Sequence, residues 1–258
     1  MTALQSLPIK TYVINLDRTP DRYQFVKENL DRIGLPHQRF SAVDGANLTA
    51  EDWKKVDKLG YRLFHGKILR EAEVGCYLSH TSVMEAFLKT DQPFCLILED
   101  DCDFGDDFTK ILAELIECKE EWDLAKLSGR HSGMPTVQKE LSREYKLVAF
   151  LAKNTGASSY LINRHAAEQY LKKIFPMRVP YDHAFDRPWK FNIKFRAVLP
   201  FPSQGQEIKV STITPDLSMQ YKIKFKWYKR LLVGPYRIYQ AVRRIWHFII
   251  NGLFIPKK

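Results

Sequence analysis

The chain has 258 residues, 45% hydrophobic and 27% charged, a balance that fits one large or two small globular domains and excludes a low-complexity polymer. Its formal net charge of +10 is unevenly spread, because residues 217–258 hold ten Lys/Arg and no Asp or Glu while residues 1–216 are formally neutral. No window offers the roughly 18 uninterrupted apolar residues of a transmembrane helix, and no signal peptide is expected, since the first residues lack a basic region followed by a long apolar one.

Residues 9–16 (IKTYVINL) predict a first strand. Thr19 is placed to cap a helix with Pro20 at its first position. Phe25, Val26, Leu30 and Ile33 mark its buried face, and Gly34 ends it. A second strand over 37–43 stops at Asp44-Gly45, and this βαβ opening predicts a mostly parallel sheet. Residues 46–70 predict a short helix and a loop. A longer helix over 71–89 turns Val74, Leu78, Thr81, Met84 and Leu88 inward.

The apolar run Phe94-Cys95-Leu96-Ile97-Leu98 then stops at Glu99-Asp100-Asp101, with Asp103 following. Such a run predicts a buried strand with carboxylates at its carboxyl end, the edge at which open α/β sheets bind ligands. Clustered acids there are stable when a cation joins them, and hard oxygen donors suit Mg²⁺ or Mn²⁺. A cation among acids is in turn a seat for a diphosphate. Acids after a strand also leave open a phosphotransferase or a solvated acidic turn, but the absence of GxxxxGK[ST] counts against a nucleotide hydrolase.

Asp106 or Asp107 caps the next helix, which buries Phe108, Ile111, Leu112 and Leu115. Residues 122–127 predict a strand, 128–138 a Gly/Ser/Pro-rich loop, and 145–152 a strand leading to Thr155-Gly156-Ala157. A helix over 165–175 ends before Pro176. Cys76, Cys95, Cys102 and Cys118 lack metal-ligand spacing and read as reduced, buried small residues. In the tail, Gly234-Pro235 opens a helix with Ile238, Val242, Ile245, Trp246, Ile249 and Leu253 on one face. Arg237, Gln240, Arg243, Arg244 and His247 occupy the opposite arc. Such a helix suits either an anionic membrane surface or docking on its own domain. With no basic patch elsewhere, nucleic acid is not an expected partner.

Seven segments in order carry a resemblance: INLDRTPDR (14–22), AVDG (42–45), EVGCYLSH (73–80), LILEDD (96–101), WDLAKL (122–127), TGASSYLI (155–162) and PYDH (180–183). Together they resemble glycosyltransferase family 25, whose bacterial members build lipopolysaccharide or lipooligosaccharide cores. The resemblance implies a GT-A-type, Rossmann-like single α/β domain over 1–216 with a mostly parallel sheet, followed by a basic amphipathic tail over 217–258. It also implies an inverting transfer of a hexose, most often galactose, from a UDP-sugar with Mn²⁺ or Mg²⁺. Glu99-Asp100-Asp101 takes the place of the family's metal motif, with Asp101 as the metal ligand. Glu99 or Asp100 would then hold the ribose or support the metal through water.

Asn15 and Arg18, with Arg22, fall at the nucleotide end, and Asp44 either touches the nucleotide or caps a turn. Thr155 and Gly156 let backbone approach a sugar, while Asp182 matches the position of the general base. Asp186 is a second candidate base or the partner of Arg187 in a local ion pair; His183 packs or orients, with a third metal ligand as the alternative role. Ser79 and His80 match a family element, although a buried His at that place is commonly a hydrogen-bonded core residue. TGASSYLI carries small polar residues where the family often has an aromatic, which leaves acceptor recognition open. The expected acceptor is a lipid-linked oligosaccharide at the inner face of the cytoplasmic membrane. The alternative is a non-catalytic membrane-associated scaffold on a degenerate transferase fold.

Overall fold

The computed structural model describes residues 7–129, 133–142, 144–205 and 225–250. The chain opens as β1 (Ile9–Asn15), α1 (Pro20–Arg32) and β2 (Gln38–Ser41). Pro20 occupies the first turn of α1, but the Thr19 hydroxyl donates to the Leu16 carbonyl at 3.1 Å and so closes the preceding turn without capping the helix. Where a short helix and a loop are predicted, the chain forms a 3₁₀ turn (Gly45–Asn47) and two helices, α2 (Ala50–Lys54) and α3 (Lys58–His65). Thr49 and Asp57 accept backbone N–H bonds at the starts of these helices, which is what lets such short segments close. Next come α4 (Glu71–Leu88), β3 (Phe94–Glu99), the short β4 (Cys102–Phe104), α5 (Phe108–Glu117) and β5 (Leu124–Lys126). The predicted loop over 128–138 contains a strand, β6 (Pro135–Glu140), whose mixed polar sequence reflects its place at the sheet edge. β7 (Lys146–Phe150), β8 (Ser159–Asn163), α6 (Arg164–Lys173), α7 (Tyr181–Phe185), α8 (Pro188–Phe191), β9 (Phe195–Leu199) and β10 (Ser203–Gly205) complete the domain, and α9 (Val233–Phe248) follows.

Eight strands form one sheet in the order β2-β1-β3-β8-β5-β9-β7-β6. β1 pairs in parallel with β2 and β3, as the βαβ opening predicts, and β5 pairs in parallel with β9. The other pairings are antiparallel, so the sheet is mixed where a mostly parallel one is predicted. The physical reason lies at β8. β7 ends at the opposite edge, and residues 151–158 carry the chain back across the sheet as a loop, so Ser159 enters beside Leu98, at the edge where β3 ends, and β8 runs down against β3.

Helices cover both faces, which explains the unbroken apolar run of β3. Cys95 and Ile97 join Tyr12, Ile14, Tyr160 and Ile162 under α4 and α6. Phe94, Leu96 and Leu98 join Val13 and Leu161 under α1 and α5. Of the face predicted for α4, Val74, Leu78, Thr81 and Met84 are buried, and Leu88 lies at the margin.

α9 packs against α3 and α8 through its polar and aromatic arc. Tyr236 stacks on Phe64 at 4.4 Å and accepts a 2.7 Å bond from Arg187, and Val233 is buried over Gly66. Gly66 ends α3 at φ 74°, where any Cβ would lie 2.7 Å from the Val233 side chain. The predicted apolar face of α9 points the other way: Ile238, Val242, Ile245 and Trp246 are exposed. Leu253, predicted on the same face, lies outside the described residues.

Candidate active site

The carboxyl ends of β3, β5 and β9 open onto a cleft of about 1110 Å³. Glu99 and Asp101 enter it from β3, Ser128 and Gly129 from the end of β5, and Phe201 and Ser203 from beyond β9. Thr155 to Ser158 form the wall leading into β8, and Asp182 and His183 of α7 close the far side. The Glu99 backbone N–H donates to the Ser158 carbonyl at 2.7 Å, which fixes this wall directly over the acids. Gly156 sits at φ 97°, a conformation that strains any residue with a Cβ, so the turn itself requires glycine.

The three consecutive acids divide their work. Asp100 is turned inward, accepting from Asn15 Nδ2 at 2.7 Å and pairing with Arg22. Asn15 also donates to the Thr19 carbonyl and accepts from Arg39 Nε, both at 2.9 Å, so it ties the first turn to the acidic one. Asp101 Oδ2 is 3.6 Å from the Arg22 guanidinium, whereas its buried Oδ1 has no hydrogen-bond partner among the described residues. Burial, reinforced by the charge of Glu99 and Asp100, pushes the Asp101 carboxyl up to about 7. A half-buried carboxylate with one buried, unsatisfied oxygen and acidic neighbours fits a hard divalent cation. Asp103 turns back to accept from the Phe104 N–H at 2.8 Å and takes no part in the cleft.

Glu99 meets a second set of donors. His80 is 1% exposed and stacks on Tyr181 with ring centroids 4.2 Å apart. Its Nδ1 lies 3.0 Å from the Tyr160 hydroxyl and its Nε2 lies 3.2 Å from Glu99 Oε1. His80 is thus a hydrogen-bonded core residue whose free edge orients an acid of the cleft. Cys76, one turn earlier on α4, brings its thiol into the same group, the ligand atoms of Cys76, His80 and Glu99 all lying within 4.8 Å of one another. Sequence reasoning missed this because spacing among cysteines gives no sign of a histidine and a glutamate supplied by another element. A thiol and an imidazole suit a softer ion than the carboxylates of Asp101 and Glu99 do.

Asp182 lies opposite the acids, half-buried on the cleft wall. Beside it, His65 and His183 stand edge to face at 5.2 Å, and Lys153 Nζ is 3.2 Å from His183 Nε2. Burial holds both histidines down to about 3, helped at His65 by the His183 imidazole and Lys67 and at His183 by Lys153, Arg187 and Lys67. Lys67 and Lys153, which no motif marks, give the cleft a cationic side facing its acids.

Asp186 does not pair with Arg187 as the local sequence suggests. It is 1% exposed and accepts from Arg244 of α9 at 2.9 and 2.8 Å, and from the Asn154 N–H at 3.0 Å. Lys126, fully buried, donates to the Asn154 carbonyl and side chain at 2.7 Å and to the Thr155 carbonyl at 3.3 Å. Its burial pulls the ammonium down to about 8, against the raising effect of Asp186 and Asp182. This chain of contacts makes Asp186 a support of the Thr155–Gly156 wall rather than a group facing the cleft. Arg18 and Asp44 lie outside the cleft lining and bind each other at 2.5 Å, with Asp44 capping the turn at Ala46 N.

The family model described as Glycosyltransferase family 25 (LPS biosynthesis protein) matches residues 8–185. A lipooligosaccharide biosynthesis protein, lic2B, of Haemophilus influenzae is 27% identical over 95% of this chain and 96% of its own length. A glycosyltransferase 25 family member of Aedes aegypti is 32% identical over 44% of the chain but only 20% of that protein. The human inactive glycosyltransferase 25 family member 3 is 29% identical over 76% of the chain and 35% of its own length. The chain therefore spans about a fifth of the insect relative and a third of the human one. By the extent and position of the family match, the chain belongs to glycosyltransferase family 25.

Proposed function

We propose that the protein transfers a hexose, galactose first among the candidates, from a UDP-sugar to a lipid-linked lipooligosaccharide or lipopolysaccharide core acceptor, with inversion. The observation that carries this reading is Asp101: a half-buried carboxylate with one buried, unsatisfied oxygen, held beside Glu99 at the end of β3 in a cleft large enough for a nucleotide-sugar. Family membership and the full-length similarity to the Haemophilus protein support the reaction class and the acceptor class. In this reading residues 1–216 are a GT-A-type catalytic domain, residues 217–258 are its tail, and the enzyme works at the inner face of the cytoplasmic membrane.

Asp101 would hold a divalent cation, Mn²⁺ or Mg²⁺, with Glu99, steadied by His80, completing its acidic side. When bound there, the cation would supply Lewis-acid neutralisation of a diphosphate leaving group. Asp100, Asn15 and Arg22 hold the acidic turn in place, and Arg18 and Asp44 reach the nucleotide end once their mutual pair opens. Thr155 and Gly156 bring backbone close to the sugar. Asp182 takes the proton of the acceptor hydroxyl from the side opposite the leaving group. Phe201 offers the cleft a ring that its small-residue wall, Thr155 to Ser158, does not, and Gly129 makes room for it, since a Cβ there would lie 2.4 Å from the Phe201 ring.

The rival reading is a non-catalytic scaffold, a possibility kept in view by the human relative whose name calls it inactive. A panel of UDP-sugars, assayed for Mn²⁺-dependent hydrolysis and for transfer to truncated core oligosaccharides, separates the two. Turnover of one donor that falls at least about a hundredfold in Asp101→Asn, with the urea midpoint unchanged or raised, is the expected result. Near-parental turnover in that variant at saturating Mn²⁺ would overturn the metal assignment, and no hydrolysis or binding of any UDP-sugar would favour the scaffold.

A further inference from the structure

We infer that the outward face of α9, with the 3₁₀ turn before it (Trp227–Arg230), is a docking surface for an anionic lipid bilayer, held rigidly to the catalytic domain. Amphipathic helices of globular proteins turn their apolar stripe to the core. α9 does the reverse. Its polar arc is anchored inward by the buried Arg244–Asp186 pair and by Tyr236, and Ile238, Val242, Ile245 and Trp246 are left 45–67% exposed. Among the described residues, ten of the fourteen exposed large apolar side chains fall between Trp227 and Ile250. Scattered exposed apolar groups need no explanation, but a contiguous stripe of this kind marks a contact surface.

Charge selects the occupant. Residues 225–250 contain six Lys/Arg and no Asp or Glu. Lys226, Lys229, Arg237 and Arg243 are exposed, and Arg243 edges the stripe, bonded to the Tyr239 hydroxyl at 2.8 Å. A second copy of so uniformly cationic a face would meet like charge. A bilayer with anionic headgroups offers apolar depth for the stripe and counter-charge for its border at the same time. Trp227 and Trp246, 76% and 64% exposed, have the amphipathic rings that settle at such an interface. No helix among the described residues is long and apolar enough to cross a membrane, so the contact is one that lies on the surface.

The test uses the full chain and vesicles of phosphatidylcholine alone or mixed with phosphatidylglycerol, with no sugar donor present, so its outcome is independent of the transferase reading. Co-sedimentation with the mixed vesicles is expected, with a blue shift of tryptophan emission that Trp246→Ser diminishes. The double variant Val242→Asn/Trp246→Ser should lose binding at least tenfold. Each of Lys226→Gln, Lys229→Gln and Arg243→Gln should weaken it by about fivefold. All these side chains are exposed, so circular dichroism and the urea midpoint should not move. Equal binding of the double variant, or equal binding to neutral vesicles, would overturn the inference. So would a lipid-free dimer in light scattering that the double variant dissolves, which would make the stripe a protein interface.

Discussion

Replacing Arg244 with Ala removes the guanidinium that meets Asp186 at 2.9 and 2.8 Å and lies 4.8 Å over the Trp189 ring. Asp186 is 1% exposed, and breaking a pair of this kind costs about 3–5 kcal/mol because a charge is left buried without its partner. The carboxyl has one escape, which is to take up a proton. Moving a group whose unfolded value is about 3.9 to its neutral form at pH 7 costs about 4 kcal/mol, at roughly 1.36 kcal/mol per pH unit, so protonation caps the charge penalty near that figure. The Asn154 N–H and the nearby Lys126 charge keep the actual cost below the cap, and the lost ring contact adds about 0.5–1 kcal/mol. Burial already raises the Asp186 carboxyl, and without Arg244 it rises further. The variant's folded state then binds a proton that its unfolded state releases above pH 4, so the penalty grows as pH rises from there and shrinks on acidification. Urea denaturation of the full chain should therefore show Arg244→Ala less stable by about 3–4 kcal/mol at pH 7 but by only about 1–2 kcal/mol at pH 5. Asp186→Asn with Arg244→Met, which removes both charges, should recover much of the loss. A deficit under about 1 kcal/mol at pH 7, or one independent of pH, would refute the reasoning.

His65 and His183 are held down to about 3 by burial and by Lys67 and Lys153, against 6.5 for a free side chain, so the unfolded chain takes up protons first on acidification. Stability is fully present above pH 6.5 and falls below it, by about 2 kcal/mol per histidine at pH 5, and His65→Gln should flatten that slope in urea titrations. Asp182→Asn should lower kcat by about 10²–10⁴-fold while leaving the KM for donor nearly unchanged; an unchanged kcat would remove Asp182 from the base position. Gly156→Ala, at φ 97°, should cost about 1–3 kcal/mol and raise KM as the cleft wall shifts, and a variant with parental stability and KM would show that the turn tolerates a Cβ.

What the sequence made legible is what local physics determines. β1, α1, β3 and α4 follow from apolar periodicity, proline placement and an uninterrupted buried run, and their limits agree with the structure to within a residue or two. The edge strand β6 was hidden because half-exposed polar sequence resembles a loop. The antiparallel entry of β8 was hidden because strand direction depends on how the chain returns across the sheet, which no window of residues reports. The acids after β3 mark a candidate cation site in the sequence, but their division does not show there. Asp100 turns inward only because Asn15 and Arg22, some 80 residues earlier, reach it. Lys153, Cys76 and His65 join the cleft from separate elements whose only common property is where they end.

The tail shows why two sequence readings that exclude each other for an isolated helix are compatible in the fold. Amphipathicity alone asks whether the apolar face meets a membrane or the protein, and assumes that the polar arc takes the water. Here the domain supplies Asp186, a buried carboxylate needing a cation, so Arg244 of the basic arc turns to the protein while Arg237 and Arg243 stay exposed. The apolar stripe is then left for another partner. Because Asp186 also holds the Asn154 backbone, and Lys126 holds Asn154 and Thr155, the helix bearing the exposed stripe is joined by four consecutive polar contacts to Thr155 in the wall of the cleft. Removing the tail thus differs from cutting a tether, since it unpairs a carboxylate within the support of the Thr155–Gly156 turn. A chain ended after Thr214 should lose stability by about the same 3–4 kcal/mol as Arg244→Ala, plus the packing of Tyr236 and Val233. If that truncated chain unfolds at the parental urea concentration, the tail is an appendage and the coupling argued from Arg244 fails.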